Sequence, residues 1–326
     1  MINYTNCPPS PQSFQTRIMW SKCADIPIEV STGNSTVLKG KLYFGGGVTS
    51  DKEDECTVHC YDPLQDHWST LPPFNFRHFG LGHIDGNLVA VGGARQRPSR
   101  ERTNDLHAFI ESTGRWKKAY PPMPTARSST VVFSLEHVLI VVGGYSYKGE
   151  RKVSENKIVD VFKVKESQWY RAGEVPLSVQ NMSGVALNSH LYIIGGIRVG
   201  DTSSQVISSS ISDLIRNAVP APADVDAEKD ASDDALSPWK MLPDVPMNKT
   251  AITSIAGLLI TLGGEKDAIH MYSPSINSWV HVGSLPELRL LTTVGALSPM
   301  EILMIGGLDG SKNVSTVYKG SLQLSI

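Results

Sequence analysis

Six pairs of adjacent glycines recur along this 326-residue chain, and each pair follows a short apolar run. The runs read KLYFG, NLVAV, VLIVV, HLYII, LLITL and ILMI in chain order. Most successive pairs are about 45 to 52 residues apart, with one longer interval in the second half of the chain. Recurrence at a period of this length indicates a repeat architecture, in which each unit is one supersecondary element. The pairs are Gly46–Gly47, Gly92–Gly93, Gly143–Gly144, Gly195–Gly196, Gly263–Gly264 and Gly306–Gly307.

Six tryptophans alternate strictly with the glycine pairs. A proline-rich step, such as STLPPF or KAYPPM, follows most of them. Each unit is predicted to hold four short strands, which in the second unit are FGLGHI, NLVAV, DLHAFI and RWKKAY. Several short strands in a unit of about 45 to 50 residues are typical of a β-propeller. The tryptophans are Trp20, Trp68, Trp116, Trp169, Trp239 and Trp279.

The apolar strand, the double glycine, the aromatic residue near the end of the third strand and the tryptophan of the fourth strand together resemble the kelch repeat. The resemblance covers roughly residues 17–322. It implies an all-β, six-bladed kelch β-propeller with four antiparallel strands in each blade. We therefore expect residues 1–16 to form an N-terminal tail and residues 17–326 to form one propeller.

The two ends of the chain predict how the ring closes. Trp20 lies before the first glycine pair, whereas the last unit ends without a fourth strand. The N-terminal strand is therefore expected to complete the C-terminal blade, which leaves no unpaired sheet at the seam. The glycines are expected to allow a positive φ and close backbone approach. Each tryptophan is expected to bury a large apolar ring between neighbouring blades.

The fourth unit departs from the repeat. Its third strand is predicted near Gln205–Ser212, followed by an insertion from about residue 213 to residue 237. ISDLIRNAV, around the start of this insertion, is the one segment with helical spacing. Further along, residues 221–235 hold six acidic residues and one lysine. Such a composition favours disorder. A solvated loop, a partner-binding or phosphorylation-tuned tail, and an autoinhibitory segment all remain open.

Composition limits the class of protein. A formal net charge of −2 does not favour a chain that coats nucleic acid or an anionic membrane. No apolar stretch approaches about 20 residues, and the start of the chain lacks the pattern of a signal peptide. Four cysteines in a chain of this length do not make a disulfide framework. We therefore expect a cytoplasmic protein with reduced thiols.

The sequence holds no phosphate loop, nucleophile elbow or HExxH zinc motif, so we expect no catalytic residues, no metal and no cofactor. One alternative is a metal-dependent enzyme. The plant specifier proteins resemble this chain in architecture, and they use a Glu-x3-Asp-x3-His arrangement for iron. Asp51, Glu55 and His59 have this spacing with the two acids exchanged. Cys56 and Cys60 are interpreted as small buried hydrophobic residues.

Function is then expected in the loops. In a four-stranded blade, the connections from the fourth strand to the next first strand (d–a) and from the second to the third (b–c) open on one face. This face is predicted to carry a basic sector over blades two and three, and arginines suit carboxylate or phosphate groups. The candidate partner-binding residues are Arg77, His78, Arg95, Arg97, Arg127, Asn181, Lys249 and Arg289.

The pattern is similar to the substrate-binding domains of cullin ubiquitin-ligase adaptors, although their N-terminal domain does not precede it here. That resemblance implies a protein-interaction scaffold or adaptor for an acidic or phosphorylated peptide, with any ligase subunit on a separate chain. The opposite possibility is that the loops are arginine-rich for solubility alone. A nucleic-acid partner is disfavoured, because no aromatic stacking ladder accompanies the arginines.

Overall fold

Six antiparallel sheets of the chain are arranged as the blades of a propeller. The computed structural model describes residues 16–50, 56–95, 101–148, 151–152, 156–177, 182–195, 197–198, 201–221 and 238–324. Within each blade the strands run a, b, c and d from the channel to the perimeter. The innermost strands of consecutive blades contact one another, and those of blades six and one also meet. The all-β, six-bladed fold expected from the repeat is confirmed.

The strands of each blade follow in the order a, b, c and d. They are Asn34–Leu38, Lys41–Gly45, Val58–Asp62 and His67–Thr70 in blade one; Gly80–Ile84, Asn87–Val91, Leu106–Ile110 and Arg115–Tyr120 in blade two; Val131–Leu135, Val138–Val142, Ile158–Lys163 and Gln168–Glu174 in blade three; Ser183–Leu187, His190–Ile194, Val206–Ser210 and Trp239–Leu242 in blade four; Ala251–Ile255, Leu258–Leu262, Ala268–Ser273 and Ser278–Ser284 in blade five; and Thr293–Ser298, Glu301–Ile305, Val317–Leu324 and Thr16–Lys22 in blade six.

The b strands explain the apolar runs of the sequence. Each is hydrogen-bonded between strands a and c, and neighbouring blades cover both of its faces. In blade two every residue of strand b after Asn87 is buried. A strand that is buried on both faces is continuously apolar rather than alternating, because it has no solvent-facing side.

The ring closes as predicted. The strand Thr16–Lys22 pairs antiparallel with Val317–Leu324 over seven residues, from Thr16 opposite Leu324 to Lys22 opposite Tyr318. Trp20 lies opposite Gly320, where a Cβ would contact the Trp20 ring at 3.0 Å. The first strand of the chain is therefore the outermost strand of the last blade.

Four of the tryptophans, Trp68, Trp116, Trp169 and Trp279, connect to the preceding blade by a hydrogen bond from Nε1 to a main-chain carbonyl. Trp169 stacks against Phe162 of its own blade with ring centroids 5.1 Å apart. Its Nε1–H donates over 2.8 Å to the carbonyl of Pro121, which directly follows strand d of the preceding blade. Trp279 donates in the same way to Pro243 over 2.8 Å. The proline-rich step therefore supplies an acceptor that faces the next blade.

The glycine pairs fasten each blade to the following one. Gly92 has a φ of +63°, and a Cβ there would lie 2.3 Å from the Arg127 carbonyl oxygen in the next d–a connection. The N–H of Gly93 donates to that same oxygen over 2.9 Å. The arrangement repeats at the seam, where the Gly307 N–H donates over 2.8 Å to the carbonyl of Val30. Both glycines are required because the connection crosses directly over them.

The insertion of blade four begins with ordered structure. Strand c ends at Ser210, two residues before its predicted end, and Ser210 caps a helix, α1 (Ile211–Arg216). The chain then crosses to blade three, where the two residues Val219–Pro220, here called the clasp strand, pair with Arg171 and Tyr170 of the outer strand. Residues 222–237, which carry most of the acidic run, lie outside the described residues.

The remaining elements are small. A 3-10 turn spans Val164–Glu166 between strands c and d of blade three. Among the described residues, no helix is both long and apolar enough to cross a membrane. Five two-stranded ribbons extend the blades on the d–a/b–c side. They pair Val30–Ser31 with Val48–Thr49, Phe76–Arg77 with Ala94–Arg95, Tyr147–Lys148 with Arg151–Lys152, Ile197–Arg198 with Asp201–Thr202, and Leu308–Asp309 with Lys312–Asn313.

Candidate binding face at the channel mouth

One position recurs around the channel mouth on the d–a/b–c face. In five blades, the residue two places before strand a has a positive φ although it is not glycine. The blade-four equivalent in the sequence is Asn181, which lies outside the described residues. We call these positions the mouth ring. The five described members, with φ between 51° and 58°, are Thr32, His78, Ser129, Lys249 and Leu291.

The left-handed conformation directs main-chain groups of the mouth ring toward neighbouring blades. The Thr32 N–H donates over 3.0 Å to the Leu291 carbonyl, which links blade one to blade six. The Ser129 N–H donates over 2.8 Å to the His78 carbonyl. A left-handed L-residue costs about 1–2 kcal/mol, so these inter-blade hydrogen bonds offset backbone strain. The ring therefore presents its side chains from a rigid rim.

The mouth opens into a cavity of about 120 Å³. Its polar lining is mainly hydroxyl groups, with one cation and one imidazole from the mouth ring. His78 and Lys249 belong to blades two and five, which face each other across a six-bladed ring. Four of these hydroxyls, those of Ser35, Ser183, Thr292 and Thr293, already donate to main-chain carbonyls, so the lining offers more acceptors for peptide amides than donors for a carboxylate. The hydroxyl-bearing residues are Thr32, Ser35, Ser129, Thr130, Ser183, Thr250, Thr292 and Thr293.

Two of the predicted arginines lie together at the rim. The ribbon of blade two pairs Phe76–Arg77 with Ala94–Arg95, and the Nε of Arg77 donates over 3.0 Å to the Arg95 carbonyl. Arg95 is exposed, and its guanidinium forms a 2.9 Å ion pair with Glu101. Arg77 lies opposite Ala94 and Arg95 opposite Phe76, so the two arginines belong to opposite faces of the ribbon, and Arg77 directly precedes the mouth ring member His78.

Lys249 supplies positive charge on the opposite side of the mouth. Its ammonium is 3.8 Å from the Glu265 carboxylate, and its side chain is about one-third exposed at 34%. A pair at that distance in water contributes little stability, so an incoming carboxylate competes for the lysine at low cost.

The structure corrects the expectation for Arg127. Its side chain is fully buried, and its guanidinium donates over 2.8 Å to Asp160 and over 3.1 Å to the Val141 carbonyl. Burial lowers the pKa of Arg127, and the Asp160 carboxylate opposes that shift. Arg127 therefore has no surface with which to contact a partner, and its role is to hold blade three together.

Arg289 is corrected for a similar reason. Only 3% of the residue is exposed. Its Nη2 donates to the Glu287 carboxylate and, over 2.9 Å, to the Thr316 hydroxyl. The guanidinium is therefore engaged within blade six rather than presented to solvent.

Both arginines occupy one position, two residues before the mouth ring. The two arginine side chains contact their own blades, and the carbonyls of Val30, Arg127 and Arg289 accept from the N–H of a glycine in the preceding glycine pair. Blade one has Val30 there at 0% exposure, and blade five has Met247 at 6%. An alignment of the six d–a connections shows apolar residues at four of these positions, and that pattern indicates a core position. The six residues are Val30, Phe76, Arg127, Val179, Met247 and Arg289.

Several predicted residues cannot be placed. Arg97, Asn181 and Gly196 lie outside the described residues, as do Asp51 and Glu55 of the iron alternative. His59 is buried, and its Nδ1 and Nε2 lie 3.1 Å from the hydroxyls of Thr70 and Thr57. Both ring nitrogens are thus engaged within blade one, which gives the iron alternative no support. Within the described ranges, no three His, Cys, Asp or Glu side chains are grouped as a metal site.

The comparisons with known proteins agree with the blade geometry. The family model described as "Kelch motif" matches residues 33–75, which correspond to the strands of blade one. The family model matches blade one alone. The glycine pairs and tryptophans of the other blades are in phase with it, and this recurrence supports a kelch-repeat propeller family.

Curated kelch relatives match at low identity. "Kelch repeat and BTB domain-containing protein 1" of cowpox virus is 21% identical over 72% of this chain and 39% of its own length. Alpha-scruin of Limulus polyphemus is 22% identical over 64% of this chain and 23% of its own length. Kelch-like protein 26 of Danio rerio is 29% identical over 45% of this chain and 24% of its own length. This kelch propeller thus spans less than half the length of these relatives.

Among solved structures, the one titled "Structure of YjhT" superposes with a TM-score of 0.68 at 18% identity. The match covers 92% of this chain and 99% of that one. At this identity the likeness supports the propeller fold alone.

Proposed function

We propose that this kelch propeller is a non-catalytic interaction module that binds a protein partner at the channel mouth. The partner segment is an acidic or phosphorylated peptide that lies across the mouth ring. The observation that carries the proposal is the channel mouth itself: His78 and Lys249 line a cavity rich in hydroxyl groups, and Arg77 and Arg95 lie on the ribbon next to His78. Relatives named for kelch repeats combined with a BTB domain support a role in protein interaction.

The chemistry of the rim favours an anionic peptide over a neutral one. Guanidinium groups bind carboxylate and phosphate through paired hydrogen bonds, and a lysine adds a point charge. The hydroxyls beneath them satisfy the peptide amides and carbonyls that become buried. Any ubiquitin-ligase subunit on a separate chain remains a prediction from the resemblance.

A synthetic peptide array tests the proposal. It carries acidic peptides, the same sequences with phosphoserine in place of glutamate, and neutral versions with glutamine. Selective capture of either anionic class is expected, and the two arms separate carboxylate from phosphate recognition. The triple variant Arg77→Ala, Arg95→Ala, Lys249→Ala should weaken capture by about a hundredfold, because three charge-assisted contacts are lost.

The control is Arg127→Met, which removes one positive charge from a buried position away from the rim. It should bind the selected peptide with wild-type affinity. Equal capture of anionic and neutral peptides, or retained affinity in the triple variant, would show that the rim does not bind anionic peptides.

A further inference from the structure

A second cavity lies between blades four and five, away from the channel mouth. Its volume is about 290 Å³. Strands b, c and d of blade four and the start of α1 form one side of it, and Tyr272 and Pro274 of blade five form the other. Among the described residues, its lining shares none with the mouth cavity. The cavity is therefore not part of the proposed peptide site.

Three side chains of blade four lie in one row on the face that meets blade five. Tyr192 of strand b is opposite Ser208 of strand c, and Ser208 is opposite Lys240 of strand d. Directly opposite residues of an antiparallel sheet project from the same face, and neighbouring strands are about 4.8 Å apart. A phenol, a hydroxyl and an ammonium group therefore line one wall of the cavity side by side.

The equivalent rows of the other blades differ from this one. In blade six, Lys319 is opposite Leu303 and forms a 3.3 Å ion pair with Glu301. In blade one, Tyr43 and Cys60 form a hydrogen bond with each other. Packing between blades is therefore achieved without unpaired polar groups at this position. In the remaining three blades strands b and c supply two apolar residues, which are Val89 and Ala108, Ile140 and Val161, and Ile260 and Met271.

The polar groups of the blade-four row are not used within the described part of the protein. No hydrogen bond or ion pair among the described residues involves the hydroxyls of Tyr192 and Ser208 or the ammonium of Lys240. Ser208 is nevertheless only 6% exposed, and a buried hydroxyl normally has a partner. Burial, together with the nearby Tyr272 hydroxyl, raises the pKa of Tyr192, so its phenol stays protonated. All three groups are therefore available to donate to one acceptor.

The charge of the cavity favours an acceptor with a single negative charge. Two residues of its lining are charged at pH 7, Lys240 and Asp213. The Asp213 carboxylate is 3.3 Å from the Arg216 guanidinium, so its charge is already balanced. The ammonium of Lys240 is left as the unmatched charge. A carboxylate supplies one negative charge and two oxygens that accept several hydrogen bonds.

We propose that this cavity binds a small carboxylic acid with a flat apolar body, such as an aromatic carboxylate. The carboxylate accepts from Lys240, Ser208 and Tyr192. The apolar body lies against the Tyr272 ring and Pro274 on the opposite wall. A few polar groups that fix orientation in a partly apolar cleft are typical of small-molecule sites. This site goes beyond the proposed peptide binding and is independent of it.

Saturation-transfer difference NMR with benzoate as the probe tests the site. Benzoate should bind more tightly than benzamide, which lacks the charge, and more tightly than phenyl phosphate, which carries nearly two charges. Lys240→Met and Ser208→Val should each weaken benzoate binding about tenfold or more, because each removes a donor to the carboxylate. Ser208→Val should fold normally, because blade three has Val161 at the same position of the row.

Lys117→Met is the matched control. Lys117 occupies the same position in blade two, where its neighbours in the row are Val89 and Ala108. This variant should bind benzoate as the wild type does, and so should the triple variant of the mouth. No benzoate binding, equal binding of benzamide or tighter binding of phenyl phosphate would overturn the proposal. Wild-type affinity in Lys240→Met, or loss of binding in the triple variant of the mouth, would overturn it as well.

Discussion

Arg127 and Asp160 form an ion pair within blade three, with 2.8 Å between Nη1 and Oδ2 and both side chains at 0% exposure. The other carboxylate oxygen of Asp160 accepts from the Nε of Arg171 over 2.8 Å. The Asp160 carboxylate therefore binds two guanidinium groups, that of the buried Arg127 and that of the partly exposed Arg171. This charge cluster connects the d–a connection to strands c and d of the same blade.

Replacement of Asp160 should lower the free energy of unfolding more than replacement of Arg127. Asp160→Asn leaves two guanidinium groups without a counter-charge and should cost about 3–5 kcal/mol of unfolding free energy. Arg127→Met should cost about 1–2 kcal/mol, because Asp160 keeps Arg171 and blade five already has Met247 at this position. Urea unfolding of both variants measures the difference. An equal loss in the two variants would contradict this account of the cluster.

Stability should fall below about pH 6.5 because burial lowers the pKa of three histidines, His83, His107 and His270, below the ordinary value of 6.5. His107 and His270 are the most buried of the three, at 8% exposure each. The unfolded state then binds more protons, so the free energy of unfolding decreases as pH falls from 6.5 toward the folded-state pKa.

The double variant His107→Leu, His270→Leu should reduce this dependence in thermal unfolding recorded across that pH range, and His83 should account for the remainder. Replacement of the exposed His67 by glutamine is the control, and it should leave the slope as it is in the wild type. A slope unchanged in the double variant would show that other groups carry the pH dependence.

Trp169→Phe should destabilise the protein more than Trp20→Phe. Both changes remove ring area, but only Trp169 donates a hydrogen bond, to the Pro121 carbonyl. The Nε1 of Trp20 is buried and has no hydrogen-bond partner among the described residues. Trp169→Phe leaves a carbonyl unsatisfied, whereas Trp20→Phe removes an unsatisfied donor. We expect a difference of about 2 kcal/mol in urea unfolding, and equal losses would rule out a stabilising role for the hydrogen bond.

Glycine at a strained position of the mouth ring should stabilise the propeller. Thr32 is β-branched and has a φ of 54°. Thr32→Gly relieves that strain and should add about 1 kcal/mol, raising Tm by about 2 °C. Thr32→Val keeps the branching and the strain, so calorimetry should find no increase. A lower Tm for Thr32→Gly would mean that the Thr32 side chain contributes more than its backbone costs.

The sequence predicted the fold because the repeat is redundant. Six glycine pairs and six tryptophans occupy equivalent sites, and the position of Trp20 ahead of the first unit predicted the closure that its pairing with Gly320 confirms. The ordered clasp strand was missed. Val219–Pro220 pairs with a different blade, and a two-residue contact between distant parts of the chain has no local signature.

The candidate site was predicted only in part, because charge alone does not show which way a side chain points. Arg77 and Arg95 lie at the rim, but Arg127 and Arg289 point into their blades. A polar residue in a loop is usually exposed. Here the ion pair with the Asp160 carboxylate offsets the desolvation cost of burying Arg127. The two residues are 33 positions apart in the sequence.

Hydrogen–deuterium exchange of the propeller, with and without an acidic peptide selected from the array, tests the central claim most directly. Binding at the mouth should slow exchange in the segments of residues 30–35, 76–81, 94–95 and 248–251, which surround the cavity and its rim. Exchange in the outer strands should be unchanged. Slowed exchange confined to the outer strands or to the a–b and c–d turns would contradict binding at the channel mouth.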